Sequence, residues 1–201
     1  EEICDGVHVY RMPMTRGYGH SLPVTILEWI TFMVRAGIKV AQLHLKQKYD
    51  VVHVHNMPDF LVFAALIPKL SGAKIILEIQ DVSPELMQAK AKGRIKKIVL
   101  ALATLQEHVS ARFAHHVITV GWPFERLLLK RGIPAAKITN VLNSADPRLF
   151  PAERRTAVST QAPDAEHPLI LMYHGTIAER NGMDAAIRAV AKARASAPYI
   201  R

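Results

Sequence analysis

Short apolar runs alternate along this chain with longer stretches whose apolar residues recur at helical spacing, the order expected of parallel βα units. The run Asp50–His55 is the clearest. Successive side chains on a strand face opposite ways, so Val51, His53 and His55 share one side and Val52 and Val54 the other. The run stops at His55. A turn, Asn56-Met57-Pro58-Asp59, follows, and its Pro and Asp suit the opening of a helix over Phe60–Leu70. Ser71-Gly72 stops that helix, and Lys74–Gln80 reads as the next strand, with Ile75, Ile76, Leu77 and Ile79 as its apolar content. Upstream, Asp5-Gly6 marks a turn before a strand at Val7–Met12, and a loop with Gly17 and Gly19 leads into an apolar stretch, Pro23–Leu45. Glu28, Arg35 and Lys39 interrupt that stretch, while Ile26, Ile30, Met33 and Val34 fall at helical spacing. It therefore reads as an amphipathic helix rather than a membrane span.

Beyond Gln80, the segment Gln80–Glu85 forms a loop at the carboxyl end of its strand. The pattern then gives a long helix over Arg94–Ala114, a strand at His116–Val120, and a helix over Pro123–Arg131 closed by Gly132 and Pro134. A further strand at Ile138–Leu142 ends in Asn143-Ser144-Ala145-Asp146-Pro147. From Arg148 to Pro168 the chain is rich in Pro, Ala, Ser, Thr and charge, with little periodicity, as in an interdomain connection. Leu169–Tyr173 begins a fresh buried strand, Gly175-Thr176 makes a turn, and Gly182–Arg194 is an amphipathic helix. The expected class is α/β. A parallel-sheet domain spans 1–147, a linker 148–168, and residues 169–201 open a second domain with one βα unit.

Composition narrows the picture. Of 201 residues, 50% are hydrophobic and 21% charged, which suits a soluble globular chain. The single cysteine, Cys4, excludes an internal disulfide framework and any multi-cysteine metal site. The chain opens without Met and stops just after a helical pattern, so it reads as a piece of something longer. The net charge is +9, with basic residues gathered in Lys39–Lys48 and Lys90–Lys97. Acidic phospholipid, nucleic acid or a phosphorylated ligand could each answer to that, as could a merely solvated basic face. Aromatic residues are only 6%, and none interleaves with the lysines, so a specific nucleic-acid partner is not expected.

Candidate chemistry gathers at strand ends, where ligands sit in open α/β sheets. His55 is placed there; it is either a ligand-facing group or a histidine satisfied in a core. Asp81 and Glu85 follow the next strand. Either carboxylate could do acid–base work, but Ser83-Pro84-Glu85 also reads as a helix start, with Ser83 as cap, and Glu85 is assigned to that role. Gly17-Tyr18-Gly19 is a feeble phosphate signal. In Tyr173-His174-Gly175-Thr176 through Glu179-Arg180-Asn181-Gly182, a glycine turn into a helix would let backbone N–H groups approach an anion, with Arg180 as a clamp; an ordinary βα turn fits equally. No histidine shows ligand spacing matched to an acidic partner, so no metal is expected.

Taken together, these segments resemble the family 4 glycosyltransferases of the GT-B fold, of the bacterial type that builds cell-envelope polysaccharides. The likeness rests on YDVVHVHNMPDF (49–60), KIILEIQDVSPEL (74–86), VITV (117–120), RGIPAAKITNVLNSADPRLF (131–150) and YHGTIAERNGMD (173–184), in family order over nearly the whole chain. It implies two Rossmann-like domains facing across a cleft and a nucleotide-sugar donor held mainly by the second. It also implies retention at the anomeric carbon without a bound metal or other cofactor. It assigns His55 and Asp81 to the reacting centre, and Gly175, Thr176, Arg180 and Asn143 to donor and phosphate binding. Gly17, Gly19 and Asn56 belong to the acceptor-side loop. The acceptor would be lipid-linked or a saccharide, and the enzyme cytoplasmic and peripheral at an anionic membrane face. There are departures. Gln80 stands where many relatives carry histidine, and Gly121 and Trp122 where they often show a polar residue and an acid. Thr176 and Asn181 occupy the sites of the usual diphosphate-binding Arg and Lys. The paired glutamates that hold the donor would lie beyond Arg201, so these 201 residues alone are not expected to turn over.

Overall fold

The computed structural model describes residues 1–14, 22–90, 95–150, 162–177 and 181–201. Four parallel strands form its centre: β3 (Val51–His55), β4 (Lys74–Ile79), β5 (His116–Thr119) and β6 (Ile138–Asn140), hydrogen-bonded in that order. Parallel neighbours need crossovers, and here each is helical. Between β3 and β4 runs a 3₁₀ segment, Asp59–Ala65, that passes into α2 (Leu66–Leu70). The continuous α-helix expected over Phe60–Leu70 is thus 3₁₀ for more than half its length. Between β4 and β5 lie α3 (Ser83–Lys90) and α4 (Ile95–Phe113), and between β5 and β6 lies α5 (Trp122–Lys130). Past α5, Gly132 takes φ +88°, the left-handed conformation that glycine adopts at a helix end.

The alternation along the strands decides where the core sits. Ile75, Leu77 and Ile79 of β4 and Val117 of β5 are fully buried on one face, against Val62 and Ala65 of the 3₁₀ segment, Ala111 of α4 and Leu128 of α5. The opposite face carries Val51, His53, His55, Ile76, Glu78, His116, Ile118 and Thr139, none of them buried. A parallel sheet is usually covered on both sides; among the described residues this one is covered on one.

One charged cluster ties the helices together. Glu107 of α4, 1% exposed, accepts from Arg131 Nη1 at 2.7 and 2.8 Å, and Arg131 Nη2 also bonds Glu85 of α3. Burial pushes the Glu107 carboxyl up to about 7, against the pull of Arg131. Glu85 is therefore a partner of Arg131. The expected Ser83 cap is also revised: its hydroxyl is buried with no hydrogen-bond partner.

The amino-terminal region departs most from expectation. In place of one strand over Val7–Met12, two short antiparallel strands, β1 (Glu2–Cys4) and β2 (Val7–Val9), form a hairpin apart from the main sheet. Asp5 and Gly6 both take positive φ, +50° and +81°, as a two-residue hairpin turn requires. Helix α1 (Leu22–Lys46) forms as expected, but its faces are reassigned. It packs on the 3₁₀ segment, closely enough that a Cβ on Gly37 would stand 3.4 Å from Ala64. Ile30 and Val34, expected to help define a buried stripe, lie with Leu27 and Ile38 on the solvent side.

The chain divides into two compact units, Glu1–Ser144 and Ala145–Arg201. In the second, α6 (Met183–Ala193) is the helix expected over Gly182–Arg194. The strand expected at Leu169–Tyr173 is reduced to a parallel bridge, Leu169 to Ile200, with backbone bonds from Leu169 to Tyr199 and from Leu171 to Arg201. None of this unit's described residues is buried, which is the physical reason: a lone strand gains little without a packed face.

Candidate active site

β3 ends in the open, and His55 at its tip has a side chain 57% exposed. Of the two placements the sequence left open, the core histidine is excluded. Parallel register sets Glu78 of β4 opposite His55 and Ile76 opposite His53. Glu78, only 14% exposed, directs Oε2 between the two imidazoles, 2.9 Å from His53 Nε2 and 3.3 Å from His55 Nδ1. The rings stack at 4.6 Å. Gln80 completes the group, its amide donating to Glu78 Oε1 at 2.7 Å and lying 3.3 Å from His55 Nδ1.

Asn56 joins the two strand ends. Its Oδ1 accepts from the backbone N–H of Gln80 at 2.9 Å and of Asp81 at 3.4 Å. Its Nδ2 donates to the Asp81 carbonyl at 2.6 Å and to Asp59 Oδ1 at 2.7 Å. Asp59, fully buried, also accepts from Gln106 Nε2 of α4 at 2.7 Å. Both ends of the Asn56 amide are thus engaged within the protein, and its work is to hold the 80–81 turn beside His55. The structure brings His55, Asn56 and Asp81 together at one rim, with Asp81 exposed.

Beside this rim lies an apolar cavity of about 180 Å3, walled by Ile26, Trp29, Met57, Phe60, Met87 and Leu102 among others. Ser83 and Gln106 are its polar edge.

The other sequence-derived candidates are placed as follows. Gly175 takes φ +151°, and a Cβ there would stand 3.2 Å from Tyr173 Oη. The Thr176 carbonyl accepts from Tyr173 Oη at 3.0 Å and from Asn181 Nδ2, so this turn closes on itself. Asn143 is exposed just past β6, in the first unit, whereas Gly175 and Thr176 belong to the second. Gly17, Gly19 and Arg180 lie outside the described residues.

Sequence reasoning missed Glu78 and undervalued His53 and Gln80. The acidic partner that no histidine spacing supplied comes from the neighbouring strand. A signal was present: an acid inside the apolar run Lys-Ile-Ile-Leu-Glu-Ile needs a reason, and the reason faces it from β3.

A parallel sheet with helical crossovers and a polar cluster at its carboxyl rim defines a Rossmann-like α/β domain of the kind that binds ligands at strand ends. The model of the glycosyl transferase 4-like domain matches residues 2–144, and the chain belongs to that family. No curated protein matches the sequence. The resemblance is borne out at the level of family, and so is the α/β class with its parallel Rossmann-like sheet; the protein is glycosyltransferase-like at that level.

Proposed function

We propose that this chain serves a retaining glycosyltransferase, supplying the acceptor-side domain and, from residue 169, the start of the donor-binding domain. A nucleotide-sugar would give up its sugar to a lipid-linked or saccharide acceptor. The observation that carries this reading is the position of His55: solvent-facing, at the carboxyl rim of the sheet, inside the stretch that matches the family. A hydroxyl oxygen of the acceptor attacks the anomeric carbon, the bond from that carbon to the departing nucleotide diphosphate breaks, and the hydroxyl proton passes to the diphosphate oxygen that leaves. His55 stands by the sugar and the attacking hydroxyl. Charge accumulating on the diphosphate is met by backbone N–H groups and basic side chains, Arg180 among them, with Gly175 and Thr176 in the turn that would take the donor. Transfer itself needs no bound metal. The apolar cavity next to the rim suits a lipid-linked acceptor, and the basic, partly apolar surface suits a peripheral place on the cytoplasmic face of a membrane.

The test is release of nucleotide diphosphate from a panel of nucleotide-sugars by the complete protein, with and without His55→Ala. Loss of about a hundredfold in kcat/KM is expected, the scale of one group acting in the transition state. Unchanged turnover would overturn the assignment.

One observation favours a second reading, a non-catalytic binding module of the same architecture. Asn181 stands where relatives are expected to hold the diphosphate with a basic residue, and here it bonds Tyr173 Oη and the Thr176 carbonyl of its own turn. Absence of nucleotide-sugar binding by the complete protein would decide for that reading.

A further inference from the structure

Two histidines two residues apart on a strand project from the same face, and a parallel neighbour can offer a third group at the same level. β3 and β4 do so with His53, His55 and Glu78. One carboxylate oxygen is the focus of two imidazole nitrogens, at 2.9 and 3.3 Å. The ligand-capable atoms of the three residues all lie within 4.8 Å of one another. A zinc-class ion with bonds of about 2.1 Å spaces its ligand atoms roughly 3.0–3.5 Å apart, so small side-chain rotations close the set. Two further features favour an ion. Gln80 bonds Glu78 Oε1 at 2.7 Å, which leaves Oε2 turned to the imidazoles; such an outer contact is what orients a ligating carboxylate. His53 and His55 are 39% and 57% exposed, so an ion can enter and water can complete its coordination.

We propose that His53, His55 and Glu78 form a binding site for one divalent transition-metal ion of the zinc class. Two imidazoles and one carboxylate suit zinc, cobalt or nickel over magnesium or calcium, which take oxygen ligands. An ion held there occupies His55 Nδ1 and therefore regulates the rim by withdrawing that imidazole. The regulatory consequence rests on the function proposed above; the binding does not.

The experiment is calorimetric titration of the untagged full chain with zinc chloride, and separately with cobalt chloride, in a non-chelating buffer. The expected result is saturable binding of one ion per chain, weakened at least about tenfold by His53→Ala. His116→Ala serves as control, because that imidazole shares the sheet face but bonds Thr139 Oγ1 at 2.8 Å; its affinity should match the parent. Glu78→Gln, which keeps the shape and removes the charge, replaces His53→Ala should the latter fail to fold. No saturable heat, or equal affinity in the parent, His53→Ala and Glu78→Gln, would overturn the site. Because the readout is the ion alone, that failure is separate from any failure of the His55→Ala transfer test.

Discussion

At the scale of single residues, the rim is built by groups that answer one another across two strands. Asn56 is the joint. It spends its oxygen on two backbone N–H groups of the 80–81 turn and its nitrogen on Asp59 and the Asp81 carbonyl. Asn56→Ala should therefore cost roughly 2 kcal/mol, since several polar partners lose their bond at once. Asn56→Asp should cost more, because a carboxylate would then face the buried Asp59. Urea unfolding measures both, and an alanine variant within about 0.5 kcal/mol of the parent would refute the joint role. The family resemblance placed Asn56 in the acceptor-side loop. That its side chain turns back into the protein depends on Asp59 and Gln80, one on the following 3₁₀ segment and one just past the end of β4.

At the scale of elements, Arg131 just beyond α5 links α4 to α3 through Glu107 and Glu85. Glu107 also gives the chain a pH term. Its folded-state pKa, about 7, stands above the ordinary 4.5 because burial disfavours the charge, so the native state holds this proton more tightly than the unfolded one. The stabilisation is complete below pH 4.5 and is lost as pH rises through about 7. Across that window the contribution is on the order of 1–3 kcal/mol. Unfolding midpoints at several pH values should show this decline in the parent and not in Glu107→Gln; parallel curves would sink the assignment. No periodicity announces such a pair. Glu107 and Arg131 are charged residues in helical stretches, and only the packing of α4 against the elements beside it makes one of them buried. Helix α1 teaches the same lesson: its apolar residues were legible, but which side faces the 3₁₀ segment is set by Gly37, where the two backbones meet.

At the scale of the whole molecule, a net charge of +9 combines with apolar residues left in the open. Ile98, Leu102, Leu105 and Val109 form an exposed stripe on α4, and Lys96 and Lys97 stand exposed in its first turn. Among the described residues no helix is long and apolar enough to cross a membrane. Binding to the surface is the proposed behaviour. The chain should cosediment with vesicles rich in anionic phospholipid, release as salt rises, and bind neutral vesicles weakly. Lys96→Glu with Lys97→Glu should weaken the association at least about tenfold, at roughly 1 kcal/mol per basic residue near the surface. Equal binding to neutral vesicles, or none at low salt, would exclude the proposal.

The order of the four central strands and of the helical crossovers between them, and the parallel class, were written in the alternation of apolar and polar positions, because periods of two and of three to four report which faces must leave water; that the end of β3 is exposed was not. Nor was register. Alternation tells that His53 and His55 share a side and that Glu78 and Gln80 share another; it does not tell that the two sides are one surface, with Glu78 opposite His55. That juxtaposition is made by hydrogen bonds between strands 23 residues apart in the chain, and it exists only once the helices between them have packed.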